Sequence, residues 1–519
     1  MHNRFMERRT GHEEKTCSHQ CMPFILDIES TNHSPFDTMG ACGDVWDVLK
    51  IYWSLLLGNI LEWYEFAIFA FLEPYLQSNF FHGSAITTWL GFASTFLARP
   101  FGGLVLGILG DLFGRKVSTF LSILGMLIGT VGQGMVPTYQ SGQICGTIGV
   151  VLLVVFRILQ GICTGGEIAA VSTYITEVGA KRSLARCMVL IGITCNIGFL
   201  LAQFASYLVL KILGEPAMTS WGWRIPFIIA LLPGTLAVCG RRCIPETSSF
   251  VHAQAEAAQA VEARATSAFQ NAQSKMKTLF KSHRPAMWVS IMSVAAAAVI
   301  YYAALSWCYV LLQKGGASSS SLIMAGVMAR SIAIGLAPFV GWLADIKGVA
   351  WIQFLGGAML AITGIPNFVA MESNAQSDTA VVVFYGLGYG ILLAFAGLLH
   401  FLYVVELFPV EIRNMGVGMS FNIGFCIFGG FAPMISEALH DLAFWAPGVF
   451  QSLAGIVTAT TVVLSFRFQS RGVLCLAHVR DEPYFDSKAP CWATVKARDT
   501  KEEELPAKEV SLEKFQVML

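Results

Sequence analysis

Three glutamates, Glu62, Glu65 and Glu167, stand inside strongly apolar stretches of this chain, where such side chains are out of place unless they have work to do. Glu62 and Glu65 belong to Tyr52 to Leu76, YWSLLLGNILEWYEFAIFAFLEPYL, which also carries Glu73 near its end. At about 1.5 Å per helical residue this stretch can cross a hydrocarbon core of roughly 30 Å. A lone charge at the centre of such a helix costs on the order of 3 kcal/mol, so Glu62 and Glu65 are expected to face protein or a wet interior. Three residues apart, they lie near one another on the helix. The chemistry they offer is proton transfer, because a carboxyl group whose hydration changes can take up a proton on one side of a membrane and release it on the other. A plainer use stands beside it: Glu62 or Glu167 paired permanently with Arg99 or Arg157 to hold helices together. Any counter-ion for Glu167 is expected from a neighbouring helix.

Other polar and aromatic groups in apolar surroundings are candidates for holding a solute: Asn59, Trp63, Tyr64, Arg157, Tyr301 and Arg330. Arg330, within MAGVMARSIAIGLAPFVGWL, grips a carboxylate with its two-pronged guanidinium if it faces the interior, and merely snorkels if it lies near the membrane surface. Trp63, Tyr64, Tyr301, Tyr302 and Trp307 offer either an aromatic cage for a quaternary ammonium or ordinary packing. His400 titrates near neutrality if solvated, and otherwise reads as structural.

The elements that must position these residues are membrane spans. With 55% hydrophobic and 13% charged residues, the chain falls in the polytopic membrane class, and zero formal charge argues against a nucleic-acid partner. Apolar runs follow the first near 86–109, 117–137, 146–174, 187–211 and 225–240. After a polar, Ala- and Gln-rich stretch come further runs near 286–312, 320–344, 350–370, 379–402, 414–436 and 443–466. The predicted layout is six plus six helices: tail 1–50, bundle 51–242, a linker with a surface helix at 243–285, bundle 286–467 and tail 468–519. Arg115, Lys116, Lys181, Arg182, Arg186, Arg241, Arg242, Lys347 and Arg413 fall on one side of this layout, which makes that side, both termini and the linker cytoplasmic. Most of the thirteen cysteines sit in apolar runs and imply no disulfide framework, and Cys17, His19 and Cys21 make too loose a set for a metal site. Residues 1 to 45 contain no recognisable secretory signal.

Gly107-Ile-Leu-Gly-Asp111-Leu-Phe-Gly114-Arg115-Lys116 closes the second run, and Gly341-Trp-Leu-Ala-Asp345-Ile-Lys347-Gly348 echoes it at the eighth. On this segment and its echo the chain resembles the major facilitator superfamily, which implies an all-α membrane fold of twelve helices in two pseudo-symmetric six-helix bundles. The resemblance further implies gating contacts by Asp111 and Arg115 with Glu177 as partner. A narrower resemblance rests on Gly58-Asn59-x-x-Glu62-Trp63-Tyr64-Glu65, Arg99-Pro100-Phe101-Gly102-Gly103, Arg157-x-x-Gln160-Gly161 with Gly165-Gly166-Glu167, Gly222-Trp223-Arg224-Ile225-Pro226-Phe227, and Glu406-Leu407-Phe408-Pro409 with Arg413. These look like the metabolite:proton symporter family, carriers of proline, betaine, 2-oxoglutarate, citrate and shikimate. Glu65 stands where that family usually has Asp, and the echo lacks paired basic residues after Asp345. The segment 501–519 is too short for sustained heptads, so osmosensing through a C-terminal coiled coil is not implied.

The expected function is proton-coupled symport of a small organic solute by alternating access, in a monomer of the plasma membrane and without a cofactor. An uncoupled facilitator is the nearest alternative, since Pro245-Glu246-Thr247 is also similar to sugar carriers, and a solute sensor that has lost turnover is a further one. No paired nucleophile and base, metal cluster or phosphate loop points to an enzyme. Gly386-Leu387-Gly388-Tyr389-Gly390 lies within an apolar run, where close helix packing explains its glycines.

Overall fold

A computed structural model of the chain describes residues 41–51, 53–113, 115–178, 183–242, 273, 274, 276–471 and 474. Among them every regular element is helical. Gly114, the side chains of Asp111, Arg115 and Glu177, most of the linker and both tails, with Cys17, His19 and Cys21, lie outside the described residues, as does the Cα environment of Gly107.

Among the described residues, twelve helices are long and apolar enough to span a membrane: α1 (Trp53–Phe71), α2 (Ala85–Leu106), α3 (Val117–Met135), α4 (Gln143–Ser172), α5 (Leu184–Leu213), α6 (Arg224–Arg241), α7 (Arg284–Lys314), α8 (Ser319–Lys347), α9 (Val349–Ser373), α10 (Asp378–Glu406), α11 (Ile412–Leu442) and α12 (Ala446–Ser470). The chain is therefore an integral, multi-pass membrane protein. The first span is shorter than its apolar run suggests. Its helix yields to a turn at Leu72, and a new helix, Glu73–Phe80, begins with Glu73, which places that residue beyond the span.

The packing repeats after six helices. In the first lobe α1 lies along α5, α2 along α4, and α3 against α6; in the second, α7 lies against α11, α8 along α10, and α9 along α12. The lobes meet along α5–α8 and α2–α11, two contacts that exchange when the lobes are exchanged, as a pseudo-two-fold axis requires. The equivalent helices α1 and α7 are the interior ones, with 83% and 89% of their most apolar stretches buried against 33% for α4 and α9. A helix enclosed on all sides has no lipid-facing stripe, and here every residue from Leu61 to Leu72 is buried.

Inside the first lobe α2 and α4 approach until only glycine fits. A Cβ on Gly102 would stand 2.0 Å from the Ile162 carbonyl oxygen, and one on Gly165 would stand 2.0 Å from that of Arg99. Since backbone rather than a movable side chain blocks the space, Gly102→Ala is expected to destabilise the protein by about 1–3 kcal/mol, read as a lowered thermal midpoint in detergent. Arg224 fastens α6 to the end of α3, donating from Nη1 to the carbonyl of Gly134 at 3.0 Å, while Tyr64 donates to the Pro226 carbonyl at 2.5 Å. Two of the resemblance motifs thus join α1, α3 and α6. In the second lobe α7, α10 and α11 widen into π-helical segments at Ile300–Trp307, Val381–Gly388 and Cys426–Gly430, a feature often found at functional sites. The α10 helix is also interrupted between Gly397 and His400. Gly386 and Gly390 pack against the α8 backbone at Ala325 and Ala329, the helix-packing role expected of them.

Candidate functional site

The α1 register, with Asn59, Glu62, Trp63 and Phe66 three and four residues apart, aims these side chains away from lipid, and Glu65 too is buried. Glu62 is wholly buried and paired with Arg99 of α2, Oε1 to Nη2 at 2.8 Å. Each partner keeps capacity in reserve. Glu62 Oε2 and Arg99 Nε and Nη1 have no hydrogen-bond partner among the described residues, and the guanidinium lies over the rings of Phe66 and Phe96 at 4.8 and 5.6 Å. Glu65 is held differently. Gln160 of α4 donates to its Oε2 at 2.9 Å, and Arg157 Nη1 donates to Gln160 Oε1 at 3.3 Å, so an amide relays between the carboxylate and the cation one helical turn away. Arg157 is also buried, over Phe69 and Phe92 at 4.1 and 5.1 Å, and gives Nη2 to the Phe92 carbonyl at 3.1 Å. Neither Glu62 nor Glu65 faces lipid.

An aromatic cluster adjoins this pair and spans both lobes. Trp63 lies 5.2 Å from Tyr301, 5.7 Å from Phe199 and 6.3 Å from Phe425, ring centre to ring centre. Tyr302 completes it, ringed by Phe92, Phe96 and Phe425, with a buried hydroxyl that finds no partner among the described residues. Tyr301 is fixed from both lobes: Asn196 of α5 donates to its hydroxyl at 3.2 Å, and the hydroxyl donates to the Gly397 carbonyl at the α10 interruption at 3.3 Å. Of the five aromatic residues read as a possible cage, Tyr64 and Trp307 are elsewhere. Tyr64 binds Pro226, and Trp307 stacks on Phe368 in the second lobe and donates to Glu437 at 2.6 Å.

Arg330 of α8 lies inside, with no exposed surface, not at the membrane surface. Its Nη1 donates to Gln203 of α5 at 3.5 Å and to the Gly326 carbonyl at 3.3 Å, while Nε and Nη2 are without partners among the described residues. The guanidinium sits 5.0 Å from the Phe199 ring, and Phe199 in turn stacks on Tyr301 at 5.5 Å. Arg330 therefore adjoins the cluster through Phe199. Asn59 belongs to the frame instead: it accepts from Trp63 Nε1 at 3.1 Å and donates to Thr194 at 2.7 Å, locking α1 onto α5. His400 is buried among Phe401, Phe421 and Phe425, and neither ring nitrogen has a partner among the described residues.

A family model described as "Sugar (and other) transporter" matches residues 48–472, which include every one of these groups. The chain belongs to that family, within the major facilitator superfamily. It is similar to the ectoine/proline transporter of Corynebacterium glutamicum, 30% identical over 395 residues that cover 74% of this chain and 77% of the relative. It is also similar to the alpha-ketoglutarate permease of Escherichia coli K12, 27% identical across 79% of this chain and 94% of the permease. Among solved structures, that of the proton:xylose symporter XylE shares the fold, with a TM-score of 0.64 at 18% identity and coverage of 85% of this chain and 99% of the other. The expected fold and family are thus confirmed, and the protein is a secondary transporter of small solutes that works by alternating access, not an enzyme.

In this transporter the third glutamate serves neither of the two arginines weighed from sequence. Glu167 pairs with Arg241 through both carboxylate oxygens, one contact being Nη1 to Oε2 at 3.0 Å, and Ser122 donates to Oε2 at 3.1 Å. Arg241 had read as one of the basic residues marking a membrane face, yet it is wholly buried. Gly58 makes room for it, since a Cβ there would stand 2.2 Å from Arg241 Nη2. Removing one partner strands a buried charge, so Glu167→Gln is expected to cost about 3–5 kcal/mol, measured as a fall in thermal midpoint that Glu167→Gln combined with Arg241→Met largely reverses. At the end of α8, Asp345 crosses to the first lobe and accepts from Arg186 Nε at 2.7 Å and from the backbone N–H of Ala185 at 2.8 Å. The residues sequence reasoning passed over, Asn196, Gln203 and Asn422, share one signal: each is an amide inside an apolar span. Asn422 donates to the Gly165 carbonyl in the opposite lobe at 2.7 Å.

Proposed function

We propose that this transporter couples a proton, carried by Glu62 or Glu65, to the movement of a small organic solute bearing a carboxylate, a proline- or betaine-type zwitterion or an organic acid such as 2-oxoglutarate. The observation that carries the reading is Arg330. A wholly buried guanidinium with two nitrogens unpartnered among the described residues, set between the lobes beside the aromatic cluster, suits a carboxylate that arrives with the solute. The charge balance supports it: the buried centre holds Arg99, Arg157 and Arg330 against Glu62 and Glu65, an excess of cation that a solute anion offsets. Trp63, Phe199, Tyr301 and Tyr302 suit the apolar or cationic remainder of the solute. Asn59, which is fully engaged between α1 and α5, and Tyr64 shape the site from behind it.

Two relatives, an ectoine/proline transporter and an alpha-ketoglutarate permease, are named for solutes that share a carboxylate, which agrees with this reading. Asp111, Gly107, Gly114, Arg115 and Glu177 form the gate of the first lobe in this reading, and Asp345 that of the second. The division into tail 1–50, bundle 51–242, linker 243–285, bundle 286–467 and tail 468–519 goes with it. So do a plasma-membrane location, cytoplasmic termini and a monomeric working unit. Uptake into proteoliposomes of proline, betaine, 2-oxoglutarate and shikimate, with and without an inwardly directed proton gradient, tests the whole. Gradient-driven accumulation of one carboxylate solute, abolished by protonophore, is expected; uptake indifferent to the protonophore would indicate an uncoupled facilitator.

A further inference from the structure

Beyond the end of α1, at the membrane face where α7 ends and α8 begins, charges of the two lobes gather around one lysine. Lys314, the last residue of α7, places Nζ 3.8 Å from Glu73 Oε2 of the first lobe and 3.7 Å from Glu437 Oε1 of α11 in its own lobe. Glu73 is wholly buried, and neither of its oxygens has a hydrogen-bond partner among the described residues. Glu437 is anchored, because Trp307 donates to its other oxygen and itself stacks on Phe368. One layer further in, Phe71 and Tyr309 meet edge to face at 5.0 Å, again one ring from each lobe, and Arg330 lies 5.8 Å from Phe71 on the inner side.

We propose that Glu73 and Lys314 form an outer latch over the route to Arg330, with Glu437 as the group that receives the lysine when the latch opens. Both of the lysine's distances exceed hydrogen-bond length and are nearly equal, so the ammonium is shared between two carboxylates instead of being committed to one. Separation of the lobes at this face draws Lys314 off Glu73. It also admits water to Glu73, so the carboxylate gains solvation as it loses its counter-ion. Glu437 travels with Lys314 because both belong to the second lobe, and Trp307 keeps it in place. Trp307 and Tyr301 share the π-helical segment Ile300–Trp307, which puts the anchor of the receiving carboxylate on the same short stretch as a ring of the central cluster.

The test uses a cysteine-free version of the full chain carrying Tyr309→Cys as a reporter beneath the latch, reconstituted and treated with a membrane-impermeant maleimide. Lys314→Gln and Glu73→Gln are each expected to raise the labelling rate several-fold, and the double substitution is expected to do no more than either alone, because both remove one interaction. Lys314→Arg, which keeps the charge, is expected to stay near the parent rate. The proposal is overturned if either neutral variant, monodisperse and with a parent-like thermal midpoint, labels at the parent rate, or if the two effects multiply. If one neutral variant fails to fold, the other together with Lys314→Arg decides in the same way. The inference rests on the alternating-access reading, but its readout uses no solute, so an error in the proposed solute class leaves the result intact.

Discussion

Glu62→Gln is expected to leave the transporter able to exchange solute across a membrane and unable to concentrate it. The substitution preserves size and one hydrogen bond's worth of geometry toward Arg99 while removing the only form of the side chain that can give up a proton. A gradient of one pH unit is worth about 1.4 kcal/mol per proton, enough for about tenfold accumulation at one proton per solute. In proteoliposomes that accumulation ratio should fall to about one in the variant, while counterflow between equal pH values continues. Loss of the charge also strands Arg99 in a buried site, so a drop in stability of about 3–5 kcal/mol is expected alongside, and Glu62→Gln with Arg99→Gln should recover most of it without restoring accumulation. Accumulation that survives in Glu62→Gln would move the coupling role to Glu65, whose link to Arg157 through Gln160 gives it a separate proton acceptor site.

Arg330→Ala should have the second large effect, this time on affinity. Hydrogen bonds from a charged donor contribute about 1.5–3 kcal/mol each, so losing two to a carboxylate raises the apparent KM by at least about a hundredfold. Arg330→Lys should rescue only part of this, because an ammonium is a point charge without the planar fork. An unchanged KM in Arg330→Ala, measured with whichever carboxylate solute the transporter accumulates, would exclude Arg330 from solute binding. His400→Phe serves as the contrast: its ring is packed among aromatic residues, and the exchange should leave uptake within about twofold across the pH range if that ring only fills space.

The sequence carried the architecture because membrane spanning is written in long-range composition. Twelve apolar runs, a polar interruption after the sixth and an echo of Asp111 at Asp345 need no knowledge of contacts. Charges inside those runs were legible for the same reason: a carboxylate in hydrocarbon is conspicuous, and Glu62, Glu65 and Arg330 were all found that way. Partner choice was not legible. Glu167 and Arg241 are 74 positions apart and meet only because Gly58 leaves a gap on a third helix, a fact that no periodicity reports. Trp307 was one of five aromatic residues suited to a cage, yet its ring stacks on Phe368 within the second lobe and its N–H is taken by Glu437, partners that aromatic character alone does not report. Asn59 read as a solute contact because it is polar, whereas its amide is consumed by α5.

The start of α5 is incomplete within its own lobe. Ser183 occupies the position that ordinarily satisfies the first free N–H groups of a helix, but its hydroxyl is given to Asp44 instead, at 2.6 Å, and the N–H of Ala185 is met by Asp345 from across the interface. Parting the lobes at that end therefore uncaps a helix, and closing them restores it, at about 1 kcal/mol for each event. Substitution at residue 345 is therefore expected to alter how readily the lobes part at that end, and with it the speed of turnover, at a position that never meets the cargo.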